Sequence, residues 1–423
     1  MDGFTHKLKL ILGDTVLRNR VLFVVLGLVL FRALATIPTP GVDIARLEQF
    51  FTNNQFFGLL NIFSGGGLSN VSIVMLGVGP YITASIIMQL LTVMSPKLKT
   101  LYTEEGETGR QKFTQISRLI TLPLAILQAF GFLVLLQNQG ILGQLHVVDF
   151  VTNIIVVVAG SMLLMWIGEL VTEFGIGNGT SLIIFAGIVA RIPAVASQLF
   201  FTFDASQIPL YLVFLVVAVG IVYAVVVVTE AERPVPITYA KRVRGNKVYG
   251  GVSTYLPLRL NQAGVIPIIF ALSILLFPQM VLNVLSNFHI SWVSRASEVV
   301  LSFFQSSWPY AAAYFVLVFL FTYFYTAVTF DPDSISKNLQ RNGAFVPGVR
   351  PGAHTSEYLA QVITRLTLVG ATFLAVIAVF PLIMKNLTGF SSLAIGGTAL
   401  LIVVSVVLDL IRRIDSQTSL RDY

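Results

Sequence analysis

Long apolar runs, rather than alternating positions, organise this chain. Ten stretches of roughly membrane-crossing length are apolar on every face: Val21–Ile37, Ser72–Met94, Ile116–Leu136, Val148–Val171, Ser181–Phe201, Pro209–Thr229, Ala263–Leu285, Tyr310–Thr329, Ile363–Met384 and Ile395–Leu410. About 20 mainly apolar residues carry a helix across a bilayer. In lipid every backbone group must be bonded within its own segment, so such runs predict helices. The strands of a membrane barrel would alternate over about ten residues, and these runs do not. The expected fold class is an all-α polytopic membrane protein with ten transmembrane helices.

Composition agrees. Of 423 residues 55% are hydrophobic and only 11% charged, against about 25% charged in an average soluble domain. Several soluble globules would lack the polar surface they need. The sequence contains no cysteine, which removes disulfides, thiolate catalysis and Cys-ligated zinc together.

The few charges are unevenly placed. With ten spans both termini lie on one side, and the gaps on that side collect Lys and Arg. Four precede the first span (Lys7, Lys9, Arg18, Arg20), and four follow the second (Lys97, Lys99, Arg110, Lys112). Six follow the sixth (Arg233, Lys241, Arg242, Arg244, Lys247, Arg259), three the eighth (Lys337, Arg341, Arg350) and three the tenth (Arg412, Arg413, Arg421). The opposite gaps hold only Arg46, Arg295 and Lys385. The positive-inside rule makes the basic side, with both termini, cytoplasmic. The first run is span-length and lacks a small-residue cleavage site, so no cleavable signal is expected. Residues 1–20 are expected on the cytoplasmic side, either as an interfacial amphipathic helix with Phe4, Leu8, Ile11, Leu12 and Thr15 near one face or as a merely basic tail. Residues 412–423 form the cytoplasmic tail.

Three stretches exceed what connecting spans requires. Cytoplasmic loop 230–262 contains Tyr239–Tyr249, two strand-like arms around Gly245-Asn246 that predict a hairpin. Cytoplasmic loop 330–362 carries Gly343-Ala-Phe-Val-Pro-Gly-Val-Arg-Pro-Gly352, dense in turn residues. Topology needs charge but not length, so two long basic loops on one face favour docking of something anionic, a protein or RNA. The third oddity is Phe56–Phe63, apolar but too short to cross and followed by Ser64-Gly-Gly-Gly67. Two readings fit: a surface helix on the outer face, or a discontinuous element inside protein or beside a water-filled cavity.

Catalytic chemistry is sparse. All four histidines (His6, His146, His289, His354) fall outside the spans. There is no His-Glu-x-x-His, Gly-x-Ser-x-Gly or Walker phosphate loop. Glu169 and Asp409 lie near the cytoplasmic ends of their spans and are expected as edge residues rather than proton carriers, which disfavours an ion-coupled pump. No enzyme, cofactor or metal is expected.

Seven runs, taken in order, resemble the SecY family, the channel-forming subunits of the general protein-translocation complex in bacteria. They are Ile37-Pro-Thr-Pro-Gly41, Gly77-Val-Gly-Pro-Tyr-Ile82, Phe174-Gly-Ile-Gly-Asn-Gly-Thr-Ser181, Ala263-Gly-Val-Ile-Pro267, Gly343–Gly352, Thr364-Arg-Leu-Thr-Leu-Val-Gly370 and Gly396-Gly-Thr-Ala-Leu-Leu-Ile402. The resemblance implies an hourglass pore between two pseudo-symmetric five-helix halves, here 21–205 and 206–411. It also implies that 57–67 is the plug of the outer funnel, with Leu59, Leu60, Asn61, Ile62, Phe63, Ser64, Gly65 and Gly66 at its centre. The family's apolar pore ring maps onto Val78, Ile82, Thr180, Ile184, Ile269 and Ile402. Val78/Ile82 and Thr180/Ile184 are each i, i+4 pairs on one helix face. Thr180 departs from the usual isoleucine and Val78 is smaller, so a slightly wider or wetter ring is expected.

The lateral gate implied between spans 2–3 and 7–8 has Thr83, Ser85, Gln89, Gln128, Asn261 and Gln262 as candidate polar residues. Docking of a motor or ribosome is expected at Arg242, Arg244, Lys247, Lys337, Arg341 and Arg350. The implied partners are the SecE and SecG subunits, the SecA motor ATPase, the ribosome through its rRNA, preproteins bearing signal sequences, and lipid. The implied location is the bacterial cytoplasmic membrane. A small-solute secondary transporter with broken helices is the alternative reading.

Overall fold

Several helices begin where a side chain or a proline stands in for missing backbone partners. The computed structural model describes residues 13–40, 71–103, 106–138, 140, 142–143, 146–190, 192–193, 197, 208–240, 242–244, 247–249, 253–286, 306–388 and 391–419. Helix α1 (Thr15–Ala35) is capped by Asp14, whose carboxylate accepts from the N–H groups of Val16 and Leu17. It therefore starts before the expected span and draws Arg18 and Arg20 into the helix. The other helices of the first half are α2 (Gly79–Met94), α3 (Pro96–Thr103), α4 (Gly106–Asn138), α5 (Val147–Phe174) and α6 (Gly179–Val189). Helix α7 (Ile208–Glu230) leads to strands β1 (Glu232–Tyr239), β2 (Arg242–Arg244), β3 (Lys247–Tyr249) and β4 (Ser253–Arg259). Then come α8 (Ile266–Ser286), α9 (Ser307–Thr329), α10 (Pro332–Arg341), β5 (Ala344–Phe345), α11 (Ala353–Thr388) and α12 (Ser391–Ser419).

A helix lies in each of the ten apolar runs. Among the described residues four helical stretches are long and apolar enough to cross a membrane: Gly106–Gln137, Val147–Phe174, Trp308–Arg341 and Ala353–Met384. Gly179–Val189, Leu215–Glu230 and Ile266–Leu275 are shorter apolar helices. The membrane part is an all-α polytopic fold. One continuous apolar core unites α1, α2, α4, α5 and α6 with α7, α8, α9, α11 and α12.

The second run departs most from expectation. Residues 71–78 are turns rather than helix, and the helix starts only at Gly79 with Pro80 in its first turn. Val71 and Gly77 both have positive φ, which interrupts any helix. Val71, Val74, Met75 and Val78 are nonetheless fully buried. The backbone here is satisfied by the segment after α1: Thr39 N–H and Oγ1 both donate to Val71 O, and Ile73 N–H donates to Ile37 O. Ser161 Oγ on α5 donates to Gly77 O at 2.9 Å. Irregular backbone at this depth is tolerated because protein surrounds it. Elsewhere the differences are of length: α11 and α12 run beyond both ends of their apolar runs, and α12 carries most of the expected tail.

The hairpin around Gly245-Asn246 forms as β2–β3, pairing Arg242 with Tyr249 and Arg244 with Lys247. A second sheet, β4–β1–β5, was not expected. β1 pairs antiparallel with β4, Glu232 opposite Arg259, while Thr238 pairs with Phe345 and Tyr239 with Ala344. Its prolines (Pro234, Pro236, Pro257) demote these runs as strand candidates in sequence. β5 comes from the other basic loop, so the sheet joins the two. Val235 and Leu258 pack with Val346, Leu359, Val362 and Ile363 in a separate small core.

Candidate functional site

The helix starts position the candidate ring. At α6, the Asn178 side chain accepts from Thr180 N–H (3.1 Å) and Ser181 N–H (3.3 Å), while Gly179 N–H donates to Thr172 Oγ1 (2.9 Å). A Cβ built on Gly179 would lie 2.0 Å from Gly168 O, so α6 reaches α5 at backbone contact only because position 179 has no side chain. This seating turns Thr180 and Ile184 toward α2 and α8. A cavity of about 450 Å³ opens there, lined by Ile82 of α2, Thr180 and Ile184 of α6, and Ile269 of α8. The other two candidates, Val78 and Ile402, are buried at 0% and 1% exposure within the same apolar core. The Thr180 hydroxyl donates to Asn178 Oδ1 at 2.6 Å, so the one polar group at these six positions is engaged within its own helix turn.

The cavity wall carries an ion pair. Arg118 of α4 holds Glu169 of α5 through two contacts, Nε to Oε1 and Nη2 to Oε2, each 2.8 Å. Such paired bonds are directional and stronger than neutral ones. Arg118 is nearly half exposed, and the contribution to stability is correspondingly modest. Asp409 is likewise paired, with Arg413 one turn later. Both carboxylates sit near the ends of their apolar runs, and each has a partner that the sequence alone does not single out. For Glu169 the available signal is an isolated Arg and an isolated Glu at facing ends of consecutive runs.

The gate candidates divide. Thr83 bonds to Gly79 O in its own helix, and Gln89 Nε2 donates to Ser85 Oγ at 3.4 Å. Ser85 and Gln89 line the first cavity, and Gln128 is buried on α4. Asn261 and Gln262 instead line a second cavity of about 270 Å³, with Asn178, Ser181, Thr229, Arg259, Ser405 and Arg412. Asn261 Nδ2 donates to Gly264 O (3.2 Å), which shapes the turn into α8. Within the α8/α9 pair, Phe270 of α8 meets Phe321 and Tyr325 of α9 edge-on.

Of the docking candidates, Arg242, Arg244 and Lys247 stand on the β2–β3 hairpin. Lys337 and Arg341 lie exposed on α10, and Arg350 is exposed before α11. Asp331 caps α10, Ser336 Oγ donates to Gly352 O (2.6 Å), Thr355 Oγ1 donates to Arg350 O (2.9 Å), and Ser356 Oγ donates to Asp333. The turn that presents Arg350 is thus held from both sides. The plug candidates Leu59–Gly66 lie outside the described residues.

A polytopic helical bundle whose helices α2, α6 and α8 enclose a cavity lined in part by aliphatic side chains fits one class, a membrane channel subunit. The SecY family profile matches residues 72–411. The chain is 41% identical over 433 residues to protein translocase subunit SecY of Corynebacterium glutamicum, covering 97% of each. It is 43% identical over 419 residues to protein translocase subunit SecY of Thermus thermophilus, covering 96% of this chain and 94% of that one. Its fold is similar to a solved protein-conducting channel (TM-score 0.65, 18% identity, 96% of this chain and 93% of that one). It is also similar to a SecY structure determined to examine the plug domain (TM-score 0.67, 19% identity, 96% and 93%). The chain belongs to the SecY family.

Proposed function

We propose that this chain performs the channel-subunit role of its family through the six-residue constriction, as a non-catalytic conduit for unfolded preproteins in the bacterial cytoplasmic membrane. The observation that carries this reading is the convergence of Ile82, Thr180, Ile184 and Ile269, from three separate helices, on one cavity. A conduit for any sequence cannot rely on specific polar contacts. Aliphatic side chains close on an extended chain without offering it hydrogen bonds, and when nothing passes they disfavour ions. In this reading ten helices form two halves of five, both termini are cytoplasmic, residues 57–67 plug the outer side, and the seam between α2/α4 and α8/α9 opens sideways into lipid.

Magnitudes support a signal segment as the key. An apolar stretch of about ten residues gains roughly 0.3–0.6 kcal/mol per residue in lipid, or about 3–6 kcal/mol. That is comparable with the roughly 5.5 kcal/mol that swings a two-state gate from 1:99 to 99:1. Forward motion comes from a partner, the SecA motor or a translating ribosome, docked on the hairpin, α10 and the Arg350 turn, with SecE and SecG completing the assembly. That β5 joins β1 favours a single docking platform made from both loops.

Vesicles containing the assembled complex test the reading. With SecA, ATP and a preprotein, the exported chain should become protected from added protease, and without the motor it should not. Saturable uptake of a small solute by vesicles containing this chain alone would instead favour the secondary-transporter alternative.

A further inference from the structure

We infer that Arg412 is the joint through which the cytoplasmic sheet positions the helix that carries Ile402. The inference rests on the reading of the chain as a docked, gated channel and names a positioning residue within it.

One guanidinium holds the end of another helix. Arg412 Nη2 donates to Thr229 O at 2.6 Å and to Glu230 Oε1 at 2.7 Å, and Nε donates to the same Oε1 at 3.0 Å. Thr229 O is one of the carbonyls a helix leaves unsatisfied at its C-terminus, and a cation there is favoured by the helix dipole. Bonds to a carboxylate add charge assistance. The side chain retains only 22% exposure.

What Arg412 grips is the root of the sheet. α7 ends at Glu230 and β1 starts at Glu232. Ala231, between them, donates its N–H to Val227 O and accepts from Leu260 N–H, each at 2.9 Å. Leu260 directly follows β4, so the ends of both long strands meet at this residue. On the far side the root has no room to shift: a Cβ on Gly370 of α11 would lie 2.5 Å from Leu260 O. The sheet root is therefore wedged against α11 and tied to α12 by Arg412.

α12 is the helix that carries Ile402. Ten residues separate it from Arg412, about 15 Å along the axis at 1.5 Å per residue. Between them Ser405 and Val406 line the same cavity as Thr229, Asn261 and Arg412. A partner that tilts the sheet moves Thr229 and Glu230, and through Arg412 it moves the cytoplasmic end of a continuous helix whose other part packs at the constriction.

The chain has no cysteine, so in a single Ile402→Cys variant all labelling of this chain, read on its own band after the subunits are separated by electrophoresis, reports on position 402. The assembled complex in vesicles is labelled with a water-soluble maleimide, with and without the SecA motor, ATP and preprotein. With Arg412 present, the motor and preprotein should raise the labelling rate at position 402. Arg412→Ala should cut that rise by at least about fivefold, the lower end of usual coupling between sites, while protein amount and motor binding stay unchanged. Arg412→Lys and Glu230→Gln, milder changes at the same joint, should each cut it partially. An equal rise in all three variants overturns the joint, as does a loss of motor binding that parallels the loss of labelling, which would make Arg412 part of the docking surface. A rise absent even with Arg412 present overturns the channel reading, and the joint with it.

Discussion

Where α2, α6 and α8 meet, Ile82, Ile184 and Ile269 present neither a donor nor an acceptor to the cavity they line, whereas the sheet layer and its root are fastened by polar contacts such as Ser336 to Gly352 O and Arg412 to Thr229 O. The difference follows from the solvent. Lipid is as apolar as leucine, so helices in the membrane gain little from burying apolar surface against each other and depend on close approach. Gly160 and Gly179 supply that approach, each bringing α5 within backbone contact of a neighbour. Around the sheet water restores the hydrophobic effect, and a small core of Val235, Leu258, Val346 and Leu359 suffices. Strand pairing and helix caps then set its orientation. The helix bundle should therefore be sensitive to added volume, and the sheet layer to lost charge.

The largest effect should come from a methyl group inside the helix bundle. A Cβ on Gly160 would sit 2.1 Å from Ile73 O and 2.9 Å from Ile73 C, both backbone atoms of the turn segment that precedes α2. No rotamer relieves that contact, so Gly160→Ala should cost more than about 3 kcal/mol, beyond the usual range for overpacking. Thermal aggregation of the purified complex in detergent, and its yield, would report the loss. Gly220 on α7 is the control, since a Cβ there meets nothing within 4 Å. Gly220→Ala should be neutral or stabilising by up to about 1 kcal/mol, as helix propensity alone predicts. Equal behaviour of the two variants would break the proposed contrast.

The second effect belongs to the sheet layer and touches function without fold. Arg350 is exposed, and its backbone turn is held through its own carbonyl by Thr355. Arg350→Glu should therefore leave thermal stability within about 0.5 kcal/mol, as for other surface changes. A reversed charge at a docking surface commonly costs several kcal/mol of association, so motor-driven export should fall by at least about tenfold, equivalent to 1.4 kcal/mol. Export at the normal rate would remove Arg350 from the docking surface.

How much of this was legible in the residues depended on whether the deciding interaction was local. Helix positions followed from apolar runs, and the β2–β3 hairpin followed from strand-like arms around Gly245-Asn246, because each is decided within a few neighbours. The turn segment 71–78 was hidden, since its residues are as apolar as a span. What breaks the helix is bonding to Ile37 and Thr39, more than thirty positions earlier. The β1–β4 pairing was masked by Pro234, Pro236 and Pro257, and only the partner loop supplies β5. The Arg118–Glu169 and Arg412–Glu230 contacts join residues 51 and 182 positions apart, and no local pattern encodes them. The candidate ring came from resemblance: Ile82 or Ile269 alone reads as ordinary packing, and convergence on one cavity is a property of three helices together.

The finest comparison places one substitution in both regions, and the difference between them is what it measures. Ser161 Oγ donates to Gly77 O where both groups are enclosed by protein, and Ser356 Oγ donates to Asp333, whose carboxylate is exposed. Ser161→Ala leaves the Gly77 carbonyl without that donor in a dry core, which should cost about 1–3 kcal/mol. Ser356→Ala leaves a carboxylate that water can reach, so its cost should stay near 0.5–1 kcal/mol, about that of an ordinary net hydrogen bond. Both are measured as shifts in thermal aggregation of the same complex, so their difference is better determined than either value. If the two cost the same, burial does not set the worth of these bonds. The helix bundle and the sheet layer would then differ in composition only, and not in the physics that holds them.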